Sequence, residues 1–199
     1  MEATVRRFGK FLMIVGAGLI AAALCLFLYN EWESRQAEEV SNGIVESIVE
    51  VIGETTQEDA WYDPYQTEMT VVEIDGYYYI GYVSIPTLNL YLPVMSEWSY
   101  PNLKISPCRY TGSTFTYDLV IAAHNYATHF GRIKNLAEGD DVYFIDMDGR
   151  TWHYQVALVD TLAPTDIELM TDSGYDLTLF TCTYGGASRV TVRCNLAEE

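Results

Sequence analysis

Nineteen consecutive residues, Phe11 to Tyr29, carry no charge. As an α-helix rising 1.5 Å per residue they span about 28 Å, close to the hydrocarbon thickness of a bilayer. Such a segment is read as a membrane span, and the rest of the chain is left to fold on one side of it. Arg6, Arg7 and Lys10 precede the run, while Glu31 and Glu33 follow it. The excess of basic residues marks the cytoplasmic flank, so the N terminus is expected inside and everything beyond Tyr29 outside. A cleaved signal peptide is the alternative, because Ala21-Ala22-Ala23 offers small residues for processing. Lipidation at Cys25 fits less well, since bulky Leu24 precedes it. The uncleaved anchor is the preferred reading.

The remaining chain is long enough for one full core, with 49% hydrophobic residues over 199 positions. Formal net charge is −17, and residues 1–30 contribute +2, which leaves −19 on the outer part. That acidity argues against nucleic acid as a partner, because phosphate backbones are held by lysine and arginine. Solubility outside the cell is the preferred account of it, and attraction of a cationic amine is the alternative.

Between Glu31 and Gly53, Val40, Ile44, Val45, Ile48, Val49 and Ile52 recur at helical spacing among glutamates. This predicts an amphipathic helix ending near Gly53, either packed on the domain or standing as a stalk that extends the membrane helix; packing is favoured because so continuous an apolar stripe needs cover. Thr55 to Tyr65 is polar, acidic and interrupted by Pro64, and reads as a linker. From about Thr70 the pattern turns to short β runs, expected at 69–74, 77–85, 90–94, 117–123, 141–146, 151–160, 176–182 and 188–194. Asp75-Gly76 and Asp148-Gly149 mark two-residue hairpins. Eight short strands suggest a closed barrel, and 96–107 and 163–175 are the long connections. The boundaries expected are 1–30 for the anchor, 31–69 for the helix and acidic linker, and 70–199 for the barrel.

The four cysteines at 25, 108, 182 and 194 show no zinc-site spacing. Asp140 and Asp141 offer too few oxygens for calcium. No metal or cofactor is expected. Cys108 and Cys194 either form a bridge or, the reading favoured here, are two inert buried thiols.

Cys182 ends the run DLTLFTC, turns through Thr183 to Ser188 with Gly185-Gly186 at the bend, and faces Arg189 on the return strand. Alternation puts Leu177 and Leu179 on one side and Phe180 and Cys182 on the other, while Val190, Val192 and Cys194 oppose Arg189, Thr191 and Arg193. If the aliphatic sets share the core, a thiol and a guanidinium meet outside it, about 5 Å apart across the strands. A thiol of ordinary pKa needs a base or a cation to become a nucleophile. Of the three histidines, His124 is the best placed: it follows the strand Leu119-Val120-Ile121-Ala122-Ala123 and falls on the side away from Leu119 and Ile121. His129 and His153 are less well positioned. Thr181 points to the other face.

These residues resemble the sortases. The resemblance rests on TLFTC at 178–182 followed by Arg189, VIAAHNY at 120–126, IGYVSIPTLNLYLPV at 80–94 and LAEGDDVYF at 136–144, and it covers roughly 70–199. It implies an eight-stranded sortase-like β-barrel in a mainly β fold with short helices. It further implies Cys182 as nucleophile, His124 as acid/base and Arg189 as the group that holds the substrate carbonyl or oxyanion. The activity implied is transpeptidation: a sorting signal of a secreted protein is cut through a thioester and its acyl group passed to an amine on cell-wall precursor or pilin. TCTYGG with Ser188-Arg189, and the helix before the barrel, look most like class B members, although the loop from Ala163 to Tyr175 before the nucleophile strand is short. A thiol peptidase releasing its product to water shares the same acyl-enzyme, and a non-catalytic wall- or pilus-binding domain is the third reading.

Overall fold

The structure, a computed structural model, describes residues 2–55 and 66–197. The expected linker therefore lies outside the described residues, except for Thr55, which is the last residue of helix α1 (Glu2–Thr55). The membrane segment and the amphipathic segment, expected as two helices, are one continuous helix. No proline or glycine separates them, so nothing in the backbone stops the first turn of the second segment from continuing the first. The chain divides into two compact units, Met1–Gln36 and Ala37–Glu199. Among the described residues one helix is long and apolar enough to cross a membrane. In it Phe11, Ile14, Leu19, Leu24 and Phe27 are all exposed, as lipid-facing side chains must be.

In the second unit nine strands follow: β1 (Val72–Ile74), β2 (Tyr77–Ile85), β3 (Leu90–Met95), β4 (Cys108–Thr111), β5 (Leu119–Ala123), β6 (Asp141–Asp146), β7 (Thr151–Leu162), β8 (Leu177–Cys182) and β9 (Arg189–Leu196). They run in the order β1-β2-β3-β4-β5-β8-β9-β7-β6, and β6 pairs back onto β2. The ring is thus closed by eight strands, and β1 is a short flap outside it. The expected eight-stranded barrel is present, with one exchange of members: β1 came from the sequence reading, whereas β4, just beyond the long connection at 96–107 and in a stretch assigned no strand, completes the ring. Strand β4 is four residues long, makes one bridge to β3 (Met95 with Cys108) and is irregular against β5 between Arg109 and Thr111. So short and interrupted a strand leaves no alternation to read.

Alternate residues fill the barrel. Ile80, Val83, Leu92, Ile121, Phe144, Leu179 and Val192 belong to one buried cluster and are all almost fully excluded from solvent. A second cluster lies outside the ring, where Ile44 and Ile48 of α1 meet Tyr79, Met95, Cys108 and Met147. Within the second unit the buried positions of α1 are Ala37, Ser41, Ile44 and Ile48, and Ser41 donates to the Ile105 carbonyl at 3.4 Å. The packed helix was expected; its buried stripe is narrower, since Val40 and Val49 stay exposed. A third cluster, Val120, Ala122, Met170 and Phe180, covers the outer face of β5 and β8. Met170 comes from α2 (Ile167–Thr171), the helical turn in the β7–β8 connection.

Candidate active site

Strands β5 and β8 run parallel in the register Leu119 with Leu177 through Ala123 with Thr181. One further step along both chains brings His124 beside Cys182. Strand β9 returns antiparallel to β8 with Cys182 opposite Arg189. In a sheet paired residues point the same way, so the faces follow from the clusters. Leu177, Leu179, Val190 and Val192 enter the barrel, while Ala122 and Phe180 face outward. Positions 124, 182 and 189 continue the outward set. The structure therefore brings His124, 58 positions from Cys182 in the chain (182 − 124), to the same end of three adjacent strands as the Cys182–Arg189 hairpin pair.

The turn between β8 and β9 is held by its own polar groups. Thr183 and Ser188 exchange backbone and hydroxyl hydrogen bonds, including Thr183 N–H to Ser188 O at 2.9 Å and Ser188 N–H to Thr183 Oγ1 at 3.0 Å. Gly185 and Gly186 sit at φ of 80° and 74°, which only glycine adopts without strain. The Arg189 guanidinium donates from Nη1 to the carbonyls of Gly186 and Ser188, both at 3.2 Å, so it is tethered to the turn. Thr181 has a different task from catalysis: its Oγ1 donates to the Ala123 carbonyl at 2.9 Å and ties β8 to β5 just before the two site residues.

Cys182 is exposed, whereas Cys108 and Cys194 are buried and all are free thiols. Burial pushes the thiols of Cys108 and Cys194 up to about 12, which keeps them protonated and inert. The favoured reading of that pair holds. In the second unit Cys182 is the thiol within reach of a substrate.

His124 is half-buried and stacked on Tyr126, with ring centroids 3.9 Å apart and planes at 17°. Behind Tyr126 stands His129, fully buried, its ring 5.5 Å from that of Tyr126. Burial, and secondarily the charge of His124, lowers the His129 pKa to about 4, so it is a neutral ring at physiological pH. Sequence reasoning had passed over Tyr126 and His129; the only signal for them is the spacing H-N-Y-x-x-H, which gains meaning once the turn folds back. His153 lies elsewhere, bonded through Nε2 to Asp141 Oδ1 at 2.8 Å, and this bond lowers the Asp141 pKa.

A family model described as a sortase domain matches residues 83–197, more than half of the chain. Sortase A of Bacillus anthracis is 29% identical over 130 residues, which are 60% of this chain and 59% of the relative's length. Among solved structures, sortase C1 from Streptococcus suis superposes with a TM-score of 0.54 at 27% identity, over 61% of this chain and 74% of that one. Sortase C of Streptococcus pneumoniae gives 0.57 at 24% identity, over 83% and 94%, a likeness of fold. The matched segment contains the end of β2 from Val83 and all of β3 through β9, and with them the strand ends that carry His124, Cys182 and Arg189. The chain belongs to the sortase family.

Proposed function

We propose that this chain is a membrane-anchored cysteine transpeptidase that cleaves a sorting signal of secreted proteins and passes the acyl group to an amine. The observation that carries the reading is the meeting of His124, Cys182 and Arg189 at one outward edge of β5, β8 and β9. The Cys182 thiolate attacks the scissile carbonyl, a C–S bond forms, and the tetrahedral oxyanion collapses to a thioester as the C–N bond breaks. His124 as imidazolium gives its proton to the leaving amine, then takes one from the incoming amine. Arg189 stays charged at any working pH and offers fixed donors to the oxyanion. To do so its guanidinium exchanges the Gly186 and Ser188 carbonyls for the substrate oxygen. The three groups work as a unit, and His129, held neutral nearby, does not compete for the proton.

The basic flank before Phe11 supports a cytoplasmic N terminus and a second unit outside, where sorting signals would emerge and peptidoglycan precursor or pilin would supply the amine. The test is to incubate the full chain in detergent micelles with a panel of sorting-type peptides, with and without amine acceptors, and to follow Cys182 by mass spectrometry. A thioester on Cys182 that turns over to an amide product is expected. Cys182→Ala should abolish it, and no adduct across a broad panel would defeat the reading. Release to water alone, with amines present, would instead make the protein a thiol peptidase.

A further inference from the structure

A cavity of about 170 Å³ opens beside Cys182 between the β8–β9 turn and the 3-10 turn at Phe130–Asn135. Phe130 and Val190 form its apolar base, and Asn125, Lys134 and Tyr184 its rim. The chain carries 28 acidic residues against 11 lysines and arginines, yet none of the cavity's lining residues is acidic and Lys134 is the one lysine or arginine there. Elsewhere in the second unit Arg150 and Arg193 face carboxylates and Arg109 and Arg132 donate to carbonyls, while Lys104, outside the cavity, makes no such contact among the described residues. Lys134 has neither a hydrogen bond nor an ion pair among the described residues. The wall is built to a fixed shape, because a Cβ on Gly131 would lie 2.5 Å from the Asn125 carbonyl oxygen. An alanine there would push the lysine-bearing turn off the site.

Resting on the transpeptidase reading above, we propose that this cavity receives the acceptor and that Lys134 selects an amine bearing a carboxylate. Drug-sized ligands occupy roughly 300 Å³ or more, so this space suits a single amino-acid end group. The acyl peptide must leave one side of the thioester open, and the cavity lies on the side of Thr183 and Tyr184, away from Phe180 and the cluster beneath it. In the transfer the amine lone pair attacks the thioester carbonyl, the C–N bond forms, and the C–S bond breaks with its electron pair returning to Cys182 sulfur. The amine proton passes to His124. A lysine ammonium beside the acceptor attracts its carboxylate and disfavours the ammonium form of the amine, which cannot attack.

Diglycine and diglycinamide differ in the carboxylate and match in size. With a donor peptide that acylates the full chain in micelles, the ratio of aminolysis to hydrolysis is measured for each acceptor. The unmodified protein should prefer diglycine, Lys134→Gln should shrink that preference by about twofold to fivefold, the scale of one partly exposed charge pair, and Lys134→Arg should keep it. Equal ratios for the two acceptors in the unmodified protein, or an equal fall for both in Lys134→Gln, would overturn the assignment while leaving Cys182 acylation intact. Failure of every donor to acylate Cys182 would overturn the transpeptidase reading, and this inference with it.

Discussion

Arg189 illustrates how far a single residue's role depends on neighbours rather than on type. Its pairing with Cys182 follows from the hairpin register, while its hydrogen bonds to Gly186 and Ser188 are a property of the folded turn. Arg189→Ala should slow acylation by roughly 10² to 10³, the cost of losing one oxyanion donor, read as single-turnover rates of thioester formation. His129 gives a prediction of a different kind. Its folded pKa of about 4 lies below the ordinary 6.5, so between those values the unfolded chain binds a proton that the folded one refuses. Stability is therefore lost as pH falls through that window, by up to roughly 3 kcal/mol. His129→Leu should flatten the fall in urea midpoint between pH 7 and 4; an unchanged slope would remove His129 as its cause.

At the level of elements, helix α1 was legible because its stripe is periodic, and its partner surface was not, because Tyr79, Met95 and Cys108 come from three separate strands. Ile48, fully buried in that contact, sets its strength: Ile48→Ala should cost about 2 to 5 kcal/mol in chemical denaturation. The closing seam of the barrel offers a sharper case. Gly81 sits where β2 pairs with both β3 and β6, at φ 140°, and a Cβ there would stand against the Ile145 carbonyl. Gly81→Ala should weaken the β2–β6 seam, seen as faster amide exchange along Tyr143 to Ile145 and a lowered urea midpoint. Strand β4 escaped the sequence for the opposite reason: it is a strand only because β3 and β5 flank it, with Gly112 turning the chain away immediately after.

On the scale of the whole molecule, charge and hydropathy decide where the protein works. The uncharged helix should keep the full chain in the membrane fraction through an alkaline carbonate wash, and protease added outside intact cells should reach the −19 portion; loss to the supernatant would remove the anchor. These properties belong to the sequence alone, because partition into lipid depends on composition along a contiguous run and not on distant contacts. The hairpin with its thiol and guanidinium is equally local, since side-chain alternation across a short turn fixes both faces. What only the tertiary structure decided is non-local. It inserted β4 between β3 and β5, and laid β5 parallel to β8 so that His124 arrives beside Cys182. It also emptied the Lys134 cavity of acidic lining side chains. Each of these depends on which segments pay the entropy of coming together across the chain, and a linear pattern carries no record of that choice.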